Sequence, residues 1–325
     1  MRRGFTQIAA TAGRVVMLSI VLLQLYSGPA RAFACPEYSP ARRLADLPGT
    51  LREASGLEMS RRYPRLYHLN DGSGPKSLFI TGVSGEPLAE LEIAGANFGD
   101  TEDLALFSCG VSDCLLIPGI GNNKGRKETA PITVIEEPTD LTQPITPLRS
   151  FLVRYSDGPR DAEAIAVHPN GDLIVITKEY SKKFMPYRPA RIYRARKDAW
   201  QAATDNATVQ LEFESVLDLG QVNPSSLYLG RLVNGVDISA DGKNFVVITY
   251  LNAVEFNHDL ALPFRPVKMQ EGRDYKKIRV RRRVQMEAIA YREDLPGIIY
   301  SSENPVFDPF APFRRRGLLA QVLCR

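Results

Sequence analysis

The sequence predicts an all-β fold, and two observations carry that prediction. Helical periodicity is scarce across the 325 residues, and Asp198–Ala203 is the segment that favours a turn or two of helix. The apolar runs are short, rich in Val, Ile, Tyr and Phe, and separated by many of the 24 glycines and 23 prolines. Nine runs are expected to form strands: Arg65–Leu69, Ser77–Thr81, Leu115–Ile117, Ile132–Ile135, Leu173–Thr177, Arg191–Arg194, Val209–Phe213, Phe245–Thr249 and Gly297–Tyr300.

A repeated signature narrows the fold class further. Each copy contains an acidic residue at or near the start of a short run of small and apolar residues. A turn follows this run, and a second predicted strand follows the turn. The copies are Glu53–Leu57, Glu102–Leu106, Glu163–Val167, the degenerate Val236–Ser239, and Glu287–Tyr291. Consecutive acids lie 49 to 74 residues apart, which is typical of propeller blades with four antiparallel strands. The repeat predicts a single β-propeller of five blades; six blades, or a β-sandwich with accidental motif echoes, are the alternatives.

Residues 33–325 are predicted to form one domain, although the length alone would suggest two. No Pro/Gly-rich linker divides this range, and the segments 255–276 and 304–316 are expected to be its longer loops. Closure of a propeller ring usually borrows a strand from one end of the chain. The two ends of the domain are therefore expected to meet in one blade.

Residues 1–32 are predicted to be a signal peptide. Arg2, Arg3 and Arg14 form a basic start, Val15–Leu25 is a short apolar stretch, and Ala30–Ala32 fits a small-x-small cleavage site. An uncleaved anchor is the alternative, and the paired arginines loosely resemble a twin-arginine export signal. We expect a periplasmic or secreted protein with no stable membrane insertion after cleavage.

The net charge of +4 belongs to this leader, which holds four arginines and no acid. Without it, 37 basic residues balance 37 acidic residues, so we expect no nucleic-acid partner. The basic runs Arg279–Arg283 and Arg314–Arg316 are interpreted as solvated faces. We expect a monomer that binds an unknown small molecule or protein.

The four cysteines agree with export. Cys109 and Cys114 flank a turn-forming tetrapeptide and could close a small hairpin, which leaves Cys35 and Cys324 to tie the two ends of the domain together. A four-thiolate zinc site is the rival interpretation, but it needs two closely spaced pairs.

The repeated positions predict a polar site at one mouth of the propeller channel. The first strand of a blade starts, and the second ends, on the same face of the ring. The second runs end in Asp71, Asn122, Lys178, Tyr250 and Glu303. The acids predicted as metal ligands are Glu53, Asp71, Glu102, Glu163, Asp237, Glu287 and Glu303. A ring of carboxylates suits a hard cation such as Ca²⁺, whereas Lys178 could supply the positive charge internally, and each acid could instead cap backbone N–H groups of a neighbouring blade.

Other chemistries fit the sequence poorly. Gly119–Gly125 does not match a phosphate-binding glycine pattern and no helix follows it. There is no G-x-S-x-G elbow, and His68, His168 and His258 have unrelated spacings, which argues against a zinc or nucleophile–base site.

A series of motifs resembles a family of exported bacterial β-propellers. The matching segments are Glu53–Leu57, Asn70–Gly72, Asp100–Ala105, Ile117–Arg126, Glu137-Pro138, and Asp161–Ile165 with Lys178. In the family these read EASGL, ND[SG]G, DxEDLA, IGDIGDN, EP and DAEA[LI], and their order covers most of residues 50–305. The group is distantly similar to SdiA-regulated proteins and to esterase-like, phytase-like propellers. The resemblance implies a propeller; Pro118, Gly119 and Asn122 depart from the family loop and weaken a phytase-like multi-calcium site.

The sequence is compatible with three functions. The first is a binding module with an acidic, calcium-binding channel mouth. The second is a metal-assisted hydrolase of phosphate or carboxyl esters, in which Glu102 or Glu163 activates water and Lys178 binds the developing negative charge. The third is a purely structural interaction domain that uses the longer loops.

Overall fold

A computed structural model describes residues 33–72, 76–95, 98–179, 187–224, 228–265, 267–281, 285–304 and 316–325. The chain divides into two units, Met1–Ala30 and Arg31–Arg325, and the predicted signal peptide at residues 1–32 lies outside the described residues. No helix in the described ranges is both long and apolar enough to cross a bilayer.

The second unit is almost entirely β-structure, as the sequence predicts. Its strands are β1 (Arg42–Asp46), β2 (Ala54–Met59), β3 (Arg65–Asn70), β4 (Ser77–Gly82), β5 (Pro87–Glu92), β6 (Ala105–Cys109), β7 (Ser112–Pro118), β8 (Ala130–Glu136), β9 (Arg149–Tyr155), β10 (Ala162–Val167), β11 (Leu173–Thr177), β12 (Ala190–Ala195), β13 (Thr208–Leu217), β14 (Gly235–Ile238), β15 (Phe245–Ile248), β16 (Ala253–Phe256), β17 (Tyr275–Ile278), β18 (Met286–Tyr291), β19 (Gly297–Ser302) and β20 (Leu318–Leu323). All nine predicted strands are confirmed, and most extend one to four residues further than the apolar run.

Helix is confined to short connections. Helix α1 (Lys197–Gln201) overlaps the predicted turn at Asp198–Ala203, helix α2 (Leu219–Val222) was not expected, and Tyr228–Arg231 forms one 3₁₀ turn. The Trp200 side chain anchors α1: its Nε1 donates to the Gly171 carbonyl at 2.8 Å, and its ring meets Phe107 edge-on at 5.0 Å.

The strands form antiparallel meanders of four. Strands β2 to β5 make one sheet and β14 to β17 another, each in sequence order. The meanders β6 to β9 and β10 to β13 are joined into one eight-stranded sheet, because β9 and β13 pair in parallel between Leu152–Tyr155 and Thr208–Leu211.

The last sheet combines both ends of the second unit. Its order is β1-β20-β19-β18, so the first strand of the chain completes a meander that the last three strands begin. Cys35 and Cys324 are disulfide-bonded beside this joint, with their Cα atoms 5.3 Å apart, and Cys109 and Cys114 form the second disulfide. Both predicted cysteine pairings are therefore present.

The meanders pack in a closed cycle. The first strands touch in the order β2, β6, β10, β14, β18, and β18 returns to β2. Five clusters of buried apolar side chains lie among the described residues, and each combines residues of two consecutive meanders. The cluster that closes the cycle packs Leu57 and Leu66 against Ile299 and Leu319. Burial of these faces supplies the main driving force for folding.

Candidate functional site

The site begins with an irregularity that three first strands share. The pairing of β2 with β3, of β10 with β11 and of β18 with β19 skips one residue near the start of the first strand: Ser55, Glu163 and Glu287. A β-bulge leaves its extra residue unpaired and redirects that side chain. Three side chains are thus turned away from the regular pleat at equivalent points of the cycle.

Backbone hydrogen bonds identify the same point in the β6 meander. The N–H groups of Asp71, Gly121, Lys178 and Glu303 donate to the carbonyls of Glu53, Asp100, Asp161 and Gln285, respectively, at 2.7 to 3.1 Å. In the β2, β10 and β18 meanders the residue two positions after the acceptor is the bulge residue, and in the β6 meander that position is Glu102. Glu102 is therefore the counterpart of Ser55, Glu163 and Glu287.

These pairings bring most of the predicted acids together at one end of the first strands, a region that we call the acidic mouth. Its acids are Glu53, Asp71, Asp100, Glu102, Asp161, Glu163, Glu287 and Glu303. Asp100 and Asp161 were missed, although each stands two residues before a recognised Glu. Since alternate residues of a strand share a face, the repeated D-x-E spacing could have found them.

Lys178 neutralises one part of the acidic mouth. Its Nζ lies 2.5 Å from Oε2 of Glu163 and donates to the Tyr250 hydroxyl at 2.6 Å. Burial acts to lower the pKa of Lys178, but the charges of Glu163, Tyr250 and Glu287 outweigh it and raise the pKa. This lysine therefore stays protonated and offsets the charges on Glu163 and Glu287.

In a different part of the acidic mouth the acids form no ion pair within the described residues, because the nearby Lys76 and Lys127 donate to the carbonyls of Gly72 and Gly121 instead. One carboxylate oxygen each from Asp71, Asp100 and Glu102 all lie within 4.8 Å of one another. Gly121 makes this approach possible, because a Cβ at that position would stand 2.2 Å from Oε1 of Glu102 and 2.7 Å from Asp100. Gly121 is the counterpart of Asp71, Lys178 and Glu303 in the other meanders. Its lack of a side chain leaves space for the carboxylates of Glu102 and Asp100.

The Glu102 and Glu287 residues are largely buried, each being 6% exposed, and no hydrogen bond to either carboxylate is present within the described ranges. Oδ1 of Asp71 and Oγ of Ser55 are also buried and unpartnered within the described structure. Because a buried charge without a partner is costly, the carboxylates of Asp71, Glu102 and Glu287 favour a bound proton or a nearby cation.

The pKa values respond accordingly. Burial, followed by the neighbouring Asp100, raises the pKa of Asp71 to about 6. Burial and the charges of Glu163 and Asp71 raise the pKa of Glu102 well above its usual range. Burial raises the pKa of Glu163 to about 7 despite Lys178, and burial with Asp71 and Glu53 raises that of Glu303 to about 7. The acidic mouth therefore gains negative charge as the pH passes through neutrality.

Asp237 is the predicted ligand that the structure does not bring to the acidic mouth. It lies two residues into β14, and its carboxylate accepts hydrogen bonds from the backbone N–H groups of Ile238 at 2.7 Å and Tyr291 at 2.6 Å. By its place in the strand it corresponds to Glu58 of β2, whose carboxylate accepts from the Leu106 N–H at 3.1 Å. The alternative considered for the acids, capping of a neighbouring meander, thus describes Asp237.

Asp103 extends this capping and was not singled out from the sequence. It is fully buried, and it accepts hydrogen bonds from the N–H groups of Leu104 at 2.9 Å, Ile165 at 3.0 Å and Val236 at 3.4 Å. Strands β10 and β14 end their sheets on this side, so their free N–H groups need acceptors. One carboxylate links three meanders.

Asn122 and two of the histidines have structural contacts. The Asn122 side chain accepts from the Arg126 N–H and donates to the carbonyls of Lys127 and Arg160, and the Asn122 N–H donates to the Asp161 carboxylate of the acidic mouth at 2.7 Å. His68 is buried beside Thr81, and His168 faces the Gly242 carbonyl at 3.2 Å and Asp259 at 3.2 Å.

The raised pKa values give a first testable prediction: without added metal, the free energy of unfolding falls as the pH rises from about 5 to 8. Burial raises the pKa of Glu163 and Asp237 to about 7. A carboxyl whose pKa is higher in the folded chain binds its proton more tightly there. Its stabilising contribution is complete below the unfolded pKa near 4 and is lost as the pH passes through 7. For a single buried group this amounts to roughly 3 kcal/mol.

Urea unfolding in the presence of a chelator, at several pH values across that window, measures the effect. Stability that is constant or increases from pH 5 to 8 would contradict it.

Comparison with known proteins adds no family. No protein-family description and no curated protein matches the chain. Among solved structures, it is similar to Chaetomium thermophilum Raptor, with 12% identity, a TM-score of 0.38, and coverage of 84% of this chain and 21% of that one. It is also similar to Kuenenia stuttgartiensis hydrazine synthase, with 13% identity, a TM-score of 0.39, and coverage of 80% and 59%. The chain therefore spans less than two thirds of either protein.

Proposed function

We propose that residues 33–325 form a five-bladed β-propeller, exported to the periplasm, whose acidic mouth binds Ca²⁺ or a ligand that presents an equivalent cation. Each four-stranded meander would be one blade, with β1 completing the fifth. The closed cycle of contacts among the five first strands supports this arrangement. Two disulfides and the predicted signal peptide support export, since such bonds persist in oxidising compartments.

The observation that carries the binding function is the convergence of Asp71, Asp100 and Glu102. Ca²⁺ binds oxygen ligands at about 2.3–2.6 Å, so two ligands of one ion are at most about 5 Å apart. The oxygens of these three residues meet that limit. Glu102 is in addition buried without a hydrogen-bond donor, and Lys178 is already engaged by Glu163. A cation at the three acids would satisfy the charge that Lys178 leaves uncompensated.

Compared with the wild type, the Glu102→Gln variant is expected to be more stable without calcium and to gain less stability when calcium is added. In a chelator at pH 8, Glu102→Gln should raise the melting temperature, because it removes a buried charge that its neighbours repel. With saturating Ca²⁺ the wild-type protein should gain about 3–6 °C, and the variant should gain little. Thermal unfolding with and without Ca²⁺ measures both effects.

Glu90→Gln is the matched control, because Glu90 is an exposed acid on β5, distant in the sheet from the bulge. It should retain the calcium response. A wild-type protein that shows no calcium-dependent shift at pH 8, or a Glu102→Gln variant that keeps the full shift, would contradict the proposal. Mg²⁺ at the same concentration tests whether the site selects the larger ion.

A metal-assisted hydrolase is the second candidate, and the state of Glu102 favours it. A carboxylate with a raised pKa and no donor, beside a cation site, is suited to take a proton from water. Glu163 is less suited, since Lys178 holds it in an ion pair. Calcium-dependent turnover of p-nitrophenyl phosphate or p-nitrophenyl acetate that is lost in Glu102→Gln would establish this activity. Calcium binding without turnover would support the binding module over the hydrolase. The absence of both calcium binding and turnover would favour the structural interaction domain.

A further inference from the structure

The opposite ends of the first strands surround a cavity of 410 Å³. Each of the five first strands contributes a lining residue within two positions of its end: Arg61, Ser108, His168, Ala240 and Glu293. Helix α1 completes the wall with Lys197 and Gln201. Because the acidic mouth lies at the starts of the same strands, this cavity is a separate site.

The cavity differs from the acidic mouth in charge. Its lining holds two cations, Arg61 and Lys197, against one acid, Glu293, whereas the acidic mouth holds eight carboxylates and Lys178. His168 adds no donor to the cavity, since its Nε2 faces the Gly242 carbonyl and Asp259, and its Nδ1 accepts from the Asn170 N–H. Arg61 also faces Asp113, Glu58 and Asp237 from outside the lining, so the cation left for an entering anion is chiefly Lys197 on α1.

Several donors in this lining have no good acceptor. The Arg61 guanidinium makes three contacts, to Ser108 at 3.4 Å, Asp113 at 3.6 Å and Glu293 at 3.9 Å, and all are longer than a normal hydrogen bond. No residue in the described part of the chain accepts from Nζ of Lys197 or from the Gln201 amide. These groups are available for an acceptor that enters the cavity.

Helix α1 is fixed to the turn at Gly171, and the stem of Lys197 packs there. The Lys197 stem lies over Gly171, where a Cβ would stand 2.5 Å from its Cδ, and the Lys197 N–H donates to Asp172 at 3.0 Å. Trp200 fixes α1 to the same turn. Lys197 and Gln201 are four residues apart, so they share one helical face.

The rest of the lining is apolar. Phe107, Val167 and Pro169 form a wall beside these donors. A bare inorganic ion would leave that wall in contact with water, whereas a flat organic body would cover it. We propose that this cavity binds a small organic anion, a carboxylate or phosphate ester, with its acidic group on Lys197, Gln201 and Arg61 and its apolar body against Phe107, Val167 and Pro169.

Calorimetric titration with benzoate and phenyl phosphate tests this proposal, with benzyl alcohol and inorganic phosphate as the neutral and non-aromatic comparisons. We expect binding of at least one aromatic anion, weakened by about ten-fold or more in Lys197→Ala. Ala240→Phe, which fills the cavity from an exposed turn, should abolish binding. Lys124→Ala, which removes an exposed lysine outside the lining, should leave it unchanged.

Two results would overturn the proposal: no binding of either aromatic anion at millimolar concentration, or equal binding by wild type and Ala240→Phe. Preference for inorganic phosphate over both aromatic anions would also refute the role of the apolar wall. Glu102→Gln should bind the anion as the wild type does, so failure here and failure of calcium binding at the acidic mouth are distinguishable.

Discussion

Removal of the Cys35–Cys324 bond in a Cys35→Ser, Cys324→Ser variant is expected to lower the free energy of unfolding by about 5 kcal/mol. The two cysteines are 289 residues apart in sequence, so the bond removes a large amount of chain entropy from the unfolded state. It also lies beside the pairing of β1 with β20, where the two ends of the second unit share a sheet. Urea unfolding measures the loss.

The second disulfide provides a matched control. Cys109 and Cys114 are separated by five positions, so a Cys109→Ser, Cys114→Ser variant should lose only about 2 kcal/mol by the same reasoning. Equal losses for the two double variants, or a loss below about 1 kcal/mol for the long-range pair, would show that chain entropy does not govern the effect.

Asp103→Ala is expected to destabilise the protein by roughly 3–6 kcal/mol, the largest effect of a single substitution. The change leaves the buried N–H groups of Leu104, Ile165 and Val236 without their acceptor. Each unsatisfied buried group costs about 1–3 kcal/mol. Denaturant unfolding checks this value.

Two further variants separate the lost acceptor from a general effect of substitution. Asp103→Asn retains one oxygen but turns an NH₂ group toward donors, so its loss should be intermediate. Glu136→Ala removes an exposed acid from β8 and should change stability by less than about 0.5 kcal/mol. A loss of under about 1 kcal/mol in Asp103→Ala would show that the three N–H groups find other partners.

Nine strands were predicted from short apolar runs between turns, and each of these pairs with a sequence neighbour, so the local signal was sufficient. Strand β1, which pairs with β20 at the other end of the chain, was not among them. Leu173–Thr177 has the bounds predicted for it, and the pairing of Cys35 with Cys324 followed from elimination. The parallel pairing of β9 with β13 could not be predicted, because nothing local in either strand records a partner more than 50 residues away.

The candidate site was predicted in part because its acids repeat. The repeated signature matched Asp237 to Glu163 and Glu287. Asp237 instead lies further along its strand, where its carboxylate accepts a hydrogen bond from the Tyr291 N–H. In a strand, side chains alternate between two faces, so the sequence shows which face an acid is on. It does not show how far along the strand that acid lies relative to the acids of the other meanders. The bulges that fix this level depend on pairing with the second strand.

Because β9 pairs in parallel with β13, the junctions between consecutive meanders differ in strength. Backbone pairing over four residues joins two consecutive meanders along their outer edges, and the Ile93–Ile145 bridge joins the β2 and β6 meanders more briefly. Among the described residues no strand pairing joins the other meanders, which are held by side-chain packing and by side-chain hydrogen bonds such as that of Asp237 to Tyr291. Local opening should begin at those other junctions, and native-state hydrogen exchange should find the two joined meanders acting as one cooperative unit. Asp71 lies in the β2 meander and Glu102 in the joined pair, so the acidic mouth spans a junction whose backbone connection is the short Ile93–Ile145 bridge.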